Sequence, residues 1–216
     1  MLLAGLMTIL VSLSSVCLGL LIGVILASFK LSKSRILRFI AEIYTTVVRG
    51  VPELLVIYLL FFGGSSAVMY FAKIFGYDGY IELNAFTIGT FAVGAISGAY
   101  STEVIRGAIL AVPKGQFEAG ETLGMSKFQM NLRVIFPQVA RLALPGIGNV
   151  WQITLKDTSL ISVTGLVEIM RMSYVAAGST RDPLFFYSFA AVLYLFLTFL
   201  SLKLFNKLEN HYSKGY

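Results

Sequence analysis

The chain has 216 residues, 57% hydrophobic and 13% charged, with a formal net charge of +6; soluble domains run near ~45–50% and ~25%. That balance excludes a disordered chain, a nucleic-acid-binding domain and an ordinary cytosolic enzyme. The single Cys17 permits no internal disulfide, and the single His211, close to the C-terminus, excludes most zinc, haem and histidine-base chemistry.

In chain order, residues 1–29, 54–72, 83–102 and 183–202 carry no charge. Residues 142–167 carry only Lys156 and Asp157. A hydrocarbon core of ~30 Å needs about 20 apolar residues at ~1.5 Å each. The expectation is an all-α polytopic membrane protein forming one domain over residues 1–216. It predicts five transmembrane helices, near 2–29, 54–72, 83–103, 142–167 and 183–203. The first stretch lacks the basic flank and small-residue cleavage site of a signal peptide and is read as a retained helix.

Basic residues divide unevenly between the loops. Lys30, Lys33, Arg35, Arg38 and Arg49 precede the second span, Arg106, Lys114, Lys127, Arg133 and Arg141 follow the third, and Lys203, Lys207 and Lys214 lie in the tail. The opposite side has only Lys73, Arg171 and Arg181. Cytoplasmic loops collect Lys and Arg, so the N-terminus is expected outside and the C-terminus in the cytoplasm, as an odd span count requires. Gly19-x-x-x-Gly23-x-x-x-Ala27 and Gly94-x-x-x-Gly98 put small residues on single helix faces. They mark either a close helix contact or the general abundance of Gly in membrane helices.

The loop at 103–141 has its own structure. Pro113-Lys114-Gly115 breaks the preceding helix, and residues 116–123 read as a short helix stopped by Gly124. Ser126-x-x-Gln129 is a capping box for a second short helix, expected to end near Phe136 because Pro137 follows. A two-helix elbow of this kind either docks in a groove on another protein or lies on lipid headgroups.

Here the sequence resembles a known family. Glu118-Ala119-Gly120, three residues, Gly124, nine residues, then Val134-Ile135-Phe136-Pro137 is similar to the EAA loop of ABC importer permeases. Gly120 replaces the second Ala, at about 1 kcal/mol of helix propensity. Arg49-Gly50-Val51-Pro52-Glu53, Gly98-Ala99-Tyr100 through Glu103 to Arg106-Gly107, Leu144-Pro145 with Gly148-Asn149, and the run from Leu155 to Leu160 resemble the same family. Together they look like the polar amino acid uptake subfamily, nearest to Q-type permeases for histidine, other basic amino acids or opines.

The resemblance implies a type I ABC importer transmembrane fold in a bacterial cytoplasmic (inner) membrane, surrounded by lipid. It implies an ABC ATPase dimer, a second permease chain in a homodimer or heterodimer, an extracytoplasmic solute-binding protein and a polar, basic amino acid substrate. Nucleic acid is not among the partners. Glu118, Ala119, Gly120, Gly124 and Pro137 become the coupling residues, in a loop spanning about 113–137. The chain has no phosphate-cradling G-x-x-x-x-G-K-[ST] segment. It is therefore expected to be no enzyme, with no catalytic, cofactor or metal residues of its own, ATP and Mg belonging to the ATPase.

An ionisable group at membrane depth is a functional candidate by default. Asp157 lies 15 residues beyond Leu142, about 22 Å into the core at ~1.5 Å per residue. In the family the corresponding Asp is proposed to hold the amino acid; the acidic partner seven residues earlier is Val150 here. Thr158, Ser159, Gln152 and Asn149 are candidate neutral contacts, and Tyr100 is a further candidate for the substrate pathway. Alternatively Lys156 and Asp157 simply end the helix, with Lys156 snorkelling. Glu103 and Arg106 are expected to pair with each other through their three-residue spacing. The other class of protein open to such a sequence is an ion-gradient-driven secondary transporter or channel protomer, although no internal repeat supports it.

Overall fold

The computed structural model describes residues 1–77, 79 and 84–213. Leu83, where the third expected span begins, and Lys214 of the basic tail lie outside the described residues. Every secondary-structure element among the described residues is helical.

Helix α1 (Leu2–Lys30) buries a stripe of Thr8, Ser12, Ser15, Gly19, Gly23 and Ala27. That stripe faces α4 (Ala85–Ala111), which buries nearly its whole middle. A Cβ on Gly19 would lie 2.6 Å from Ser97 Oγ, and one on Gly23 would lie 2.7 Å from Ser101 Cβ. Reciprocally, Gly94 and Gly98 each leave room for α1, with Leu18 Cδ2 and Ile22 Cγ2 both 2.8 Å from the absent Cβ. The small-residue stripes therefore meet each other within the chain, where apolar lipid gives no driving force and close van der Waals packing does the work. Contacts pair Gly19 with Ser97 and Gly23 with Ser101, so α1 and α4 run in the same direction.

The return between them is made by α2 (Arg35–Gly50) and α3 (Glu53–Ile74), which meet at Val51 and Pro52. The charge-based reading left residues 35–50 in a loop, and the structure corrects it. Ser34 caps Leu37 N–H, and Ile36, Phe39, Ile40, Ile43 and Val47 form an exposed apolar face. A charge on almost every turn hid this amphipathic helix from a search for uncharged blocks. Helix α3 widens by a π-type turn over Leu59–Gly63. Its Ile57 packs with Val11, Val93, Ile96 and Ile161 in the central apolar core.

A short α5 (Lys114–Thr122) precedes α6 (Lys127–Thr164), a continuous helix of changing pitch. It starts as α-helix, widens over Asn131–Ile135, resumes α-form over Phe136–Asp157 and tightens to 3-10 over Thr158–Thr164. The expected stop near Phe136 is thus overturned. Pro137 falls in the first turn after the wide segment, where a missing N–H and a displaced preceding carbonyl are tolerated. Helix α6 opposes α4, since Gly146 meets Val104 and Gly89 meets Ile161. It stops at Gly165, whose φ of 90° is left-handed.

A bend of 49° then leads to α7 (Ile169–Thr180). Glu168 fixes the bend: fully buried, it accepts hydrogen bonds from Met170 N and Arg171 N, both at 2.7 Å, and from Tyr194 Oη at 3.0 Å. Charge-assisted bonds of this kind offset the cost of burying the carboxylate. Finally α8 (Pro183–Ser213) runs back along α6, bringing Phe205 to Gly148 and Tyr187 beside Ser159.

The five expected spans do not become five uniformly apolar helices. Among the described residues three helices, α1, α3 and α8, are long and apolar enough to cross a membrane, and α6 with α7 makes a fourth only as a bent pair. Helix α4 is 27 residues long but rich in Gly, Ala, Ser and Thr. It faces protein rather than lipid, so close approach matters there more than hydropathy.

Candidate functional site

The elbow between α4 and α6 is built by local rules. Gly124, at φ 70°, ends α5. Met125 N–H donates to Gly120 O and Gly124 N–H to Glu121 O, both at 3.0 Å, a Schellman stop. Ser126 and Gln129 then close the expected capping box, with Gln129 N–H to Ser126 Oγ at 3.3 Å and Ser126 N–H to Gln129 Oε1 at 3.2 Å. Phe117, Met125 and Met130 pack with Ala108, Val112 and Ile135, pinning the elbow to α4 and α6.

Gly120 is buried, and a Cβ there would lie 2.7 Å from Met130 Sδ. Its effect is therefore close approach, where the sequence suggested only a weakened helix. Glu118, Ala119, Gly124 and Pro137 are exposed. So are Leu123 at 79% and Phe128 at 74%. Apolar side chains this exposed on a braced element form a surface suited to a partner groove.

A second polar region lies between α1, α2 and α4. Lys30, with a side chain only 7% exposed, bridges Glu42 of α2 at 2.8 Å and Glu103 of α4. Glu103 also receives Arg106, with Nε to Oε2 at 3.0 Å, as the spacing predicted. These residues border a cleft of about 370 Å³ that continues to Thr46, Arg49 and Tyr100. Tyr100 Oη donates to Glu53 Oε1 at 3.2 Å, and the Arg49 guanidinium lies 5.5 Å from the Tyr100 ring centre.

Asp157 is buried at 8% exposure, where α6 changes to 3-10 pitch. It lies close enough to Glu53 and Tyr100 to interact with them electrostatically. The structure therefore joins Tyr100 to Glu53 and Arg49, which the sequence displayed in a motif but did not mark as site residues, while no hydrogen bond or ion pair among the described residues links Asp157 to them.

The other candidates disperse. Thr158 Oγ1 donates to Leu155 O at 2.8 Å and Ser159 Oγ to Lys156 O at 2.7 Å, both within α6. Ser159 faces a separate cavity of about 270 Å³ bordered by Met170, Tyr187 and Tyr194. Asn149 is exposed. Gln152 is the exception: both amide atoms are buried without a hydrogen-bond partner, an arrangement costly enough to invite a ligand or a moving neighbour. No cluster of three or more metal-ligating side chains occurs among the described residues.

This fold, with a braced elbow on one end and buried charge inside, is that of a type I ABC importer permease. Residues 19–211 match the binding-protein-dependent transport system inner membrane component, and the chain belongs to that family. The nopaline transport system permease protein of Agrobacterium fabrum is 51% identical over 98% of this chain and 90% of its own length. The histidine/lysine/arginine/ornithine transport system permease protein of Escherichia coli is 41% identical over 98% and 92%. Among solved structures, an amino acid ABC transporter crystallised with histidines superposes with a TM-score of 0.81 at 30% identity, covering 97% of this chain and 92% of that one.

Proposed function

We propose that this chain is the membrane-crossing permease of an ATP-driven importer that brings a basic amino acid, or an opine derived from one, into the bacterial cytoplasm. The relatives named for nopaline and for histidine, lysine, arginine and ornithine support that substrate range. The chain crosses the inner membrane five times, with α1, the α2–α3 return, α4, α6 and α8 alternating in direction. Its N-terminus is outside and its C-terminus inside, as the basic loops favour. Its partners are an ATPase dimer that holds ATP and Mg, a second permease chain and an extracytoplasmic binding protein. This chain contributes no catalytic group.

The observation that carries the reading is the elbow. Closure of the ATPase moves α5 as a rigid wedge, and the apolar cluster beneath it passes the motion to α4 and α6. A flexible loop would absorb the stroke. Glu118, Ala119, Gly124 and Pro137 form or flank the docking face, and Gly120 seats it. Substrate passes the acidic centre of Asp157 and Glu53, where charge-assisted hydrogen bonds hold an ammonium or guanidinium. Gln152 supplies a neutral contact.

The test is a Gly124→Val or Glu118→Lys variant in the full reconstituted assembly. ATP hydrolysis that continues while uptake is lost, in membranes holding normal amounts of the chain, is the expected result. Normal uptake at matched expression contradicts the proposal.

A further inference from the structure

A groove of about 450 Å³ lies between α1, α6 and α8, away from the charged cleft. Leu13 of α1, Trp151 of α6 and Leu197 and Leu204 of α8 give it apolar walls, and Lys203 and Lys207 border it on α8. From Leu197 to Lys207 is ten residues, about 15 Å at ~1.5 Å each. That is half of a ~30 Å hydrocarbon core, the depth of one leaflet. The two lysines stand four residues apart, where like charges on a helix repel. Among the described residues neither makes an ion pair, and Lys203 lies 4.6 Å from the Phe199 ring centre. The Trp151 indole N–H is buried without a hydrogen-bond partner, an unmet donor on the same groove.

We infer that this groove binds an anionic phospholipid, with one acyl chain along its apolar length and the headgroup on Lys203 and Lys207. An acyl chain fills a leaflet-deep apolar slot, and a phosphate that carries no ammonium of its own relieves the repulsion between the two lysines. The same molecule brings ester carbonyls, which are acceptors for an indole N–H. A free phosphate would use only the lysine end. A second copy of this chain meeting the groove with the same face would bring two more ammonium groups against these two. In the orientation proposed above, the lysine end of α8 lies at the cytoplasmic leaflet, whose anionic lipids attract basic groups next to a membrane span.

Trp151 is the chain's single tryptophan, so it reports on the groove directly. The intact assembly is placed in phosphatidylcholine nanodiscs with rising fractions of either phosphatidylglycerol or phosphatidylcholine brominated in one acyl chain. The Trp151 signal is the difference in fluorescence between each assembly and its Trp151→Phe counterpart. In the wild type, half-maximal quenching is expected at a brominated phosphatidylglycerol fraction about fivefold lower than for brominated phosphatidylcholine. In K203Q/K207Q the two fractions agree within about twofold, and K203R/K207R keeps the preference. Equal quenching by both lipids in the wild type overturns the assignment, as does a preference retained by intact K203Q/K207Q. Quenching by neither lipid overturns it in favour of a protein chain covering the groove. So does release of a partner chain by K203Q/K207Q on gel filtration, since the lysines would then hold protein.

Discussion

The elbow at 113–137 and the charged cleft lined by Lys30, Arg49 and Glu103 present opposite kinds of unsatisfied surface. The elbow satisfies its backbone locally and leaves Leu123 and Phe128 exposed. The cleft is lined by charged and polar side chains, and its Lys30 bridge joins three helices. Each displays what its own surroundings leave unmet. Apolar surface on a braced element suits a protein groove, and ionic groups lining a cleft suit a polar passenger. In the proposed reading, motor contact and cargo contact are thereby separated along the bundle, and α4, buried through most of its length, connects them.

That contrast breaks first at Lys30. Removing its ammonium by Lys30→Met leaves Glu42 unpaired and Glu103 with Arg106 alone, with an expected loss of no more than about 3 kcal/mol, the lower end for a broken buried pair. The expected outcome is a marked drop in monodisperse protein after detergent extraction, partly restored when Glu103→Gln is added. The elbow should respond differently. Glu118→Lys is expected to leave extraction unchanged and to lower uptake at least tenfold while ATP hydrolysis persists, measured in proteoliposomes. Equal damage to yield by both variants would erase the distinction.

Within the cleft region, Asp157→Asn is expected to weaken uptake of a cationic amino acid about tenfold, near 1.4 kcal/mol for one lost charge-assisted contact. Assembly with the partner chains should be intact, as gel filtration will read. Unchanged affinity and rate would leave Asp157 as a helix-ending residue. The smallest effect is expected at Gly120→Ala. About 1 kcal/mol of helix propensity is gained and a similar amount, at the low end of overpacking, is lost against Met130. The melting temperature of the purified chain should therefore change by only a few degrees.

What was legible before the structure follows the same division. Gly124, Ser126 and Gln129 act on their own turns, so the Schellman stop and capping box could be read from spacing. Glu103 and Arg106 are one helical turn apart, and their pair was legible for that reason. Pro137 misled because its usual penalty assumes a regular α-helix before it, and the wide Asn131–Ile135 segment removes that assumption. The Lys30 bridge and the Arg49–Tyr100–Glu53 group join residues distant in sequence, and no spacing rule reports such contacts. Helix α2 was missed because its polar side faces the cleft, so the charges used to exclude a span were evidence of its amphipathic role. The Gly19/Gly23 and Gly94/Gly98 stripes showed two close-packing faces but not that each was the other's partner.

The central claim is that a partner motor grips this chain by its elbow. It is tested most directly by Leu123→Cys in a Cys17→Ser background, with the intact assembly cross-linked in inner-membrane vesicles by a short thiol reagent. A product joining this chain to the nucleotide-hydrolysing subunit, with uptake arrested and restored on reduction, is the predicted result. Labelling of that cysteine from the extracytoplasmic face by a membrane-impermeant maleimide, with no such product, would contradict it.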